Sequence, residues 1–184
     1  MTDRDQDYDT TSTAPSPSVP GTLFPAEQYN VCPVAVQPMT YDWSALSLLI
    51  NSMTPAGTTN QAIGLAWGWL SITAGSVLNP PAKSSSYTYG DHILLLTDGL
   101  NTEDRWYNDQ NSIDARQKIM CDNVKAAGIT LWTIQVNTGG DATSTLLQNC
   151  ASDPSKFFLL TSASQIITTF DNISFKITQL HLAK

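Results

Sequence analysis

The side chains best suited to chemistry lie in the short polar segments Thr58-Thr59-Asn60, Asp98-Gly99 and Asn137-Thr138-Gly139-Gly140-Asp141. Asp98 ends the run Ile93-Leu94-Leu95-Leu96-Thr97, Thr58–Asn60 precedes the apolar stretch that begins at Gln61, and Asn137 follows the run Ile129–Val136. A hydroxyl and a carboxylate facing a common point form the hard oxygen set that Mg²⁺ or Mn²⁺ accepts in octahedral geometry. An Asp-Gly after a strand is also an ordinary turn, with Gly supplying backbone freedom and Asp bonding its own main chain. Whether these segments do more depends on elements that would bring them to one edge.

Covalent and acid–base catalysis find less support. Neither His92 nor His181 falls in an expected site loop, and no Ser/His/Asp or Cys/His grouping can be assembled by spacing. A hydrophobic strand ending in Asp also opens haloacid-dehalogenase-like enzymes, which carry a second Asp two places on; that place here is Leu100. The expectation is therefore a non-enzyme, with a metal-dependent phosphotransferase or hydrolase using Asp98 as the alternative.

The positioning elements can be read from periodicity. Ile93–Thr97 is a short unbroken apolar run ending at a turn signal, the pattern of a parallel strand buried on both faces, and the carboxyl ends of such strands are where open α/β sheets bind ligands. Ile129–Val136 is a second buried strand, rich in β-branched residues, and Lys156–Leu160 a third. A further short strand is expected around Val34-Ala35-Val36, between Pro33 and Pro38. Asp42 or Ser44 can cap a helix with Leu46, Leu49, Ile50 and Met53 at helical spacing, ending before Pro55. Gln61–Thr73 reads as a helix presenting Ile63, Ala66, Trp67 and Leu70, with Gly64 and Gly68 four apart permitting close packing. Ser112–Ala127 follows, with Ile113, Ile119, Met120 and Val124 on its apolar side and Gly128 as its C-terminal cap. Thr143–Cys150 and the segment from Ser162 onward complete the helices. Strand and helix alternate, so the expected fold is α/β: a mostly parallel sheet flanked by helices. Residues 1–32, rich in Asp, Thr, Ser and Pro, read as an irregular lead-in, and 33–184 as the folded domain.

Composition narrows the partners. In 184 residues, nine basic against sixteen acidic side chains give a formal charge of -7, with no basic stripe, so nucleic acid is not an expected partner. No stretch approaches the ~18 continuous apolar residues of a membrane span. The alternating Asp3, Asp5, Asp7 and Asp9 invite a calcium reading, but a calcium loop counted from Asp3 needs Gly and Glu where Tyr8 and Ala14 stand.

The combined pattern resembles a known family. Gly57-Thr58-Thr59-Asn60 before a Gly-containing helix, Leu95-Leu96-Thr97-Asp98-Gly99 ending a strand, and a later strand opening Gly128-Ile129 look like a von Willebrand factor A domain. Asn60–Trp69, Thr97–Thr102 and Cys150-Ala151-Ser152-Asp153 are similar to the A-type domain of TadG-like proteins of bacterial tight-adherence (Flp-type) pilus assembly. The resemblance implies a Rossmann-like fold and a metal-ion-dependent adhesion site. Its threonine maps onto Thr59 and its later aspartate onto Asp98, with Thr58, Asn60, Gly99, Asn137 and Asp141 facing a protein partner. The Asp-x-Ser-x-Ser element of that site is absent, since Asp9-Thr10-Thr11-Ser12-Thr13 lacks the spacing and no apolar strand precedes it. Mg²⁺ or Mn²⁺ binding by Thr59 and Asp98 is accordingly expected to be weak or absent.

The same departure implies that the chain is the carboxyl-terminal part of a longer, membrane-anchored protein of the periplasm or cell envelope, whose front carries the first strand. Cys121 and Cys150 would then form a disulfide, and Cys32 would pair with a cysteine of the missing front. The implied function is that of a non-enzymatic binding or assembly module, part of a pilus-assembly or adhesion protein; a truncated remnant without independent function is the remaining alternative.

Overall fold

The computed structural model describes residues 16–20, 23 and 34–179. The acidic residues Asp3 to Asp9, Cys32 and His181 lie outside the described residues. The elements are α1 (Trp43–Ser52), α2 (Gln61–Ile72), β1 (His92–Thr97), α3 (Gln110–Ala126), β2 (Thr130–Val136), α4 (Thr145–Cys150), β3 (Phe157–Leu160) and α5 (Gln165–Gln179). Each of α1 to α4 starts where a short polar side chain replaces a missing backbone partner: Asp42 accepts from the Ala45 N–H, Asn60 from Ala62, Asp109 from Ser112 and Ser144 from Leu147. Gly128, at φ 80, ends α3 in the left-handed conformation that glycine adopts without steric cost.

The fold is α/β, a parallel sheet of three strands in the order β1-β2-β3 flanked by helices. Its register sets Thr97 beside Gln135 and Val136 beside Leu160, so the carboxyl ends of β1 and β2 are nearly level. On one face Leu65, Ala66 and Trp69 of α2, Met120, Cys121 and Val124 of α3, and Leu146, Leu147 and Cys150 of α4 pack with Ile93, Leu95 and Leu131. On the other, Ile173 of α5 joins Trp132, Ile134, Val136 and Leu160, with Leu94, Phe158, Ile166 and Ile177 partly buried against them. Cys121 and Cys150, both 0% exposed, form a disulfide with an S–S distance of 2.03 Å, tying α3 to α4 within the first layer. In the chain-entropy account, a link spanning 29 residues stabilises by roughly 3–4 kcal/mol. Among the described residues no helix is long and apolar enough to cross a membrane.

Several expectations need correction. Val34-Ala35-Val36 forms no strand; with Pro33 and Pro38 on either side, the run is too short and too poor in donors to build a ladder. β1 is buried on one face only: Ile93 and Leu95 are covered, Leu94 is half-buried and Leu96 is 39% exposed. The reason is position, because β1 is an edge strand and α5 packs over β3 and the central strand. α2 buries Ala66 and Leu70 as expected, but Ile63 is exposed and Trp67 only half-buried, and Ala62, Leu65 and Trp69 complete the inward side. A helix apolar nearly all round carries little directional information in its periodicity. Ile119 of α3 is likewise exposed, and Gln117 takes a buried place on that helix.

Candidate functional site

The segments at the carboxyl edge of the sheet are held together by buried polar bonds. Beyond β1 the chain turns at Asp98-Gly99, where the Thr97 hydroxyl donates to the Gly99 carbonyl (3.0 Å). The Gln61 side chain also donates to that carbonyl (2.9 Å), and the Gln61 backbone N–H donates to Asn101 Oδ1 (2.9 Å). Asn101 donates in turn to Asp114 (2.9 Å) and to Gln117 (2.7 Å), and Gln117 closes the circuit by donating to Gln61 Oε1 (3.1 Å). Gln61, Asn101 and Gln117 are all buried, at 7%, 3% and 0% exposure. A buried polar set of this kind stabilises only when its members are satisfied, and here each amide oxygen and nitrogen named has a partner.

Nearer the surface, Thr59 and Thr102 exchange bonds. The Thr59 N–H donates to Thr102 Oγ1 (2.8 Å), and the Thr102 N–H donates to the Thr59 carbonyl (3.0 Å). The segment before α2 and the segment after β1 are therefore one rigid unit. Gly57, at φ 86, turns the chain into it. Thr58 and the Asp98 carboxylate are exposed, Thr59 and Gly99 half-buried. Among the described residues no hydrogen bond or ion pair engages the Asp98 carboxylate.

The remaining predicted residues are used differently. Asn60 spends its side-chain oxygen capping α2. Asn137 follows β2 at the same edge, but its side chain organises its own loop. Its Oδ1 accepts from Gly140 (2.9 Å) and Asp141 (2.8 Å), and its amide donates to the Asp141 carbonyl (2.5 Å). Gln135 Nε2 anchors that loop through the Ala142 carbonyl at 3.1 Å. Asp141 is exposed. The edge thus presents Asp98 with its neighbouring threonines on one loop pair and Asp141 on the next.

Sequence reasoning took in Asn101 and Thr102 only as part of the Thr97–Thr102 segment, with no role of their own, and gave none to Asp104, Arg116 or Gln117. Asp104 closes a turn: its Oδ1 accepts from the Trp106 and Tyr107 N–H groups, each at 2.7 Å, and its N–H donates to the Tyr107 carbonyl (2.9 Å). Asp104 Oδ2 is buried without a hydrogen bond, and the Arg116 Nε 3.8 Å away offsets its charge. The loop ends at Asp109, whose carboxyl is held below its ordinary value by the Ser112 backbone N–H and, secondarily, the Ser112 hydroxyl. One signal for Gln117 was available, a polar residue falling between Ile113 and Met120 on the apolar side of α3.

As a metal centre the donor set is incomplete. Among the described residues no group of three or more His, Cys, Asp or Glu side chains comes together to hold an ion. Thr59 and Asp98 would contribute two hard oxygens, far short of the roughly six that Mg²⁺ takes.

No family model matches the chain, and no curated protein matches it. Among solved structures, it is similar to proximal thread matrix protein 1 from the mussel byssus, at 18% identity and a TM-score of 0.46, over 71% of this chain. The chain spans 27% of the length of that protein.

Proposed function

We propose that the chain is a non-enzymatic protein-binding module that meets its partner at the carboxyl edge of the sheet, through Asp98, Thr58 and Thr59. On the resemblance to TadG-like A-type domains, its setting is envelope assembly or adhesion. The observation that carries the reading is the combination of a rigid base with unengaged surface groups. Buried amides and the reciprocal Thr59–Thr102 bonds fix the loops, while Asp98 is exposed and, among the described residues, unpaired. Fixed loops lower the ordering cost of association, and an uncompensated carboxylate supplies charge selection toward a complementary partner. The buried Cys121–Cys150 disulfide supports assignment to an oxidising compartment.

The test is photo-cross-linking in cells from a reactive residue at Thr58, with one at exposed Lys118 on α3 as the control position. A discrete protein adduct at Thr58 that disappears in Asp98→Ala is expected. Hydrolysis of a phosphate monoester abolished by Asp98→Ala would instead establish the enzymatic alternative, and an adduct pattern identical at the two positions would sink the site.

A further inference from the structure

The Cys121–Cys150 bond lies beyond the reach of solvent. Both residues are 0% exposed, and they share one buried cluster with Met120, Val124, Leu131 and Leu147. Thiol–disulfide exchange requires an attacking thiolate in contact with a sulfur, so the bond can be exchanged only after one of the two helices it joins has opened. Those helices are unequal. α3 has 17 residues and packs against α2, α4 and β2, whereas α4 has six, of which Leu146, Leu147 and Cys150 are buried. A helix that short depends on docking for its stability, and elements with few buried contacts open before the rest of a fold. The opening element is therefore α4.

α4 shares its anchors with the second loop of the carboxyl edge. Gln135 of β2 donates through Nε2 to the Ala142 carbonyl (3.1 Å) and accepts through Oε1 from the Ser144 N–H (2.8 Å). Ser144 caps α4 by accepting from the Leu147 N–H (3.2 Å), and Thr133 Oγ1 donates to the Leu147 carbonyl (2.8 Å). The Thr59–Asp98 half of the edge is held by other residues, Gln61, Asn101 and Gln117. We infer that the Cys121–Cys150 bond is a redox latch on α4. Oxidised, it keeps α4 docked and the Asn137–Asp141 loop in place; reduced by a dithiol, it lets α4 open and frees that loop while the Thr59–Asp98 half stays ordered. In that step one thiolate of the dithiol attacks a sulfur of the bond and the other sulfur leaves as a thiolate; the second thiolate of the dithiol then displaces the first. Two electrons pass to Cys121 and Cys150, which take up two protons as thiols, and the dithiol closes to its own disulfide.

The experiment is residue-resolved hydrogen exchange by NMR on the unaltered chain before and after dithiothreitol, and on Cys121→Ser/Cys150→Ser without reductant. The Gln148 and Ala151 amides, bonded to the Ser144 and Leu147 carbonyls, report α4, and the buried Leu65 of α2 reports the core. Once mass spectrometry shows both thiols free, exchange at Gln148 and Ala151 should rise about tenfold or more, a part of what closing a loop of this length contributes, with Leu65 unchanged. The double variant should reproduce that pattern, and the reduced unaltered chain keeps the test valid if the variant does not fold. Unchanged exchange at Gln148 and Ala151 would show that the bond holds nothing α4 does not hold by itself. An equal rise at Leu65 would make the bond a staple of the whole fold rather than a latch. A bond that dithiothreitol reduces only under denaturing conditions would remove the opening of α4 from the account.

Discussion

α1 and α2 are neighbours in the sequence, similar in length, each capped by an Asp or Asn side chain and each rich in apolar residues. Yet α2 buries Gln61, Ala62, Leu65, Ala66, Trp69 and Leu70, whereas no residue of α1 is buried. Trp43, Leu48 and Ile50 of α1 are 74%, 71% and 63% exposed. Capping and periodicity are enough to start a helix, but most helical stability in a protein comes from packing one face. α2 has that face because its first turn is bonded into the Asn101–Gln117 network. The close packing expected of Gly64 and Gly68 is not what seats it: an added Cβ at Gly68 would lie 3.5 Å from Ile93, an ordinary contact, and one at Gly64 would meet nothing within 4 Å. The difference teaches that α2 is the joint between the core and the carboxyl edge of the sheet, contributing Leu65, Ala66 and Trp69 to the one and Gln61 to the other, with α1 as an appendage.

The largest test of this contrast is a pair of truncations. Leu65→Ala, at a position 0% exposed, should cost about 2–5 kcal/mol, whereas Leu48→Ala should change stability by no more than about 0.5 kcal/mol. Urea denaturation of both variants measures this directly. Comparable losses would mean that α1 is packed as firmly as α2, and the contrast would collapse.

A smaller effect sharpens the role of the polar network. Asn101→Ala removes the acceptor for the Gln61 N–H and the donor to Asp114 and Gln117, leaving buried groups unsatisfied at a cost of about 1–3 kcal/mol. Because Gln61 and Asn101 share one circuit, the double variant Gln61→Ala/Asn101→Ala should cost less than the two single changes added together. Strict additivity would show that Asn101 supports the loop without holding α2.

Much of the fold was legible because it is written locally. β2 is an apolar and β-branched run broken only by Gln135 and is the central strand, buried along nearly its whole length. The caps Asp42 and Gly128 were readable for the same reason. β1 was misjudged because an unbroken apolar run looks the same whether the strand has neighbours on both sides or stands at an edge. The candidate site was legible only at Thr58, Thr59 and Asp98, the ends of recognisable elements. Its supporting bonds join residues such as Gln61 and Asn101, 40 apart, or Gln61 and Gln117, 56 apart, and no local periodicity reports such pairings. Of the expected inward side of α2, Ala66 and Leu70 were legible, but Ile63 was misplaced because a helix apolar nearly all round gives its periodicity little direction.

The caps themselves provide the finest comparison. Asn60 and Asp42 each satisfy one N–H at the start of a helix, Ala62 in α2 and Ala45 in α1. Taken alone, either bond is worth about 1 kcal/mol. In α2 the cap cannot be lost without loosening a helix packed into the core, so Asn60→Ala should lower global stability by about that amount. In α1 the first turn can open without exposing any buried residue, so the loss stays local. Asp42→Ala should leave the global unfolding midpoint unchanged while the Ala45 amide exchanges faster with solvent hydrogen. An equal drop in global stability from Asp42→Ala would show that α1 unfolds together with the sheet, and that its exposed apolar side chains do not mark it as a separate unit.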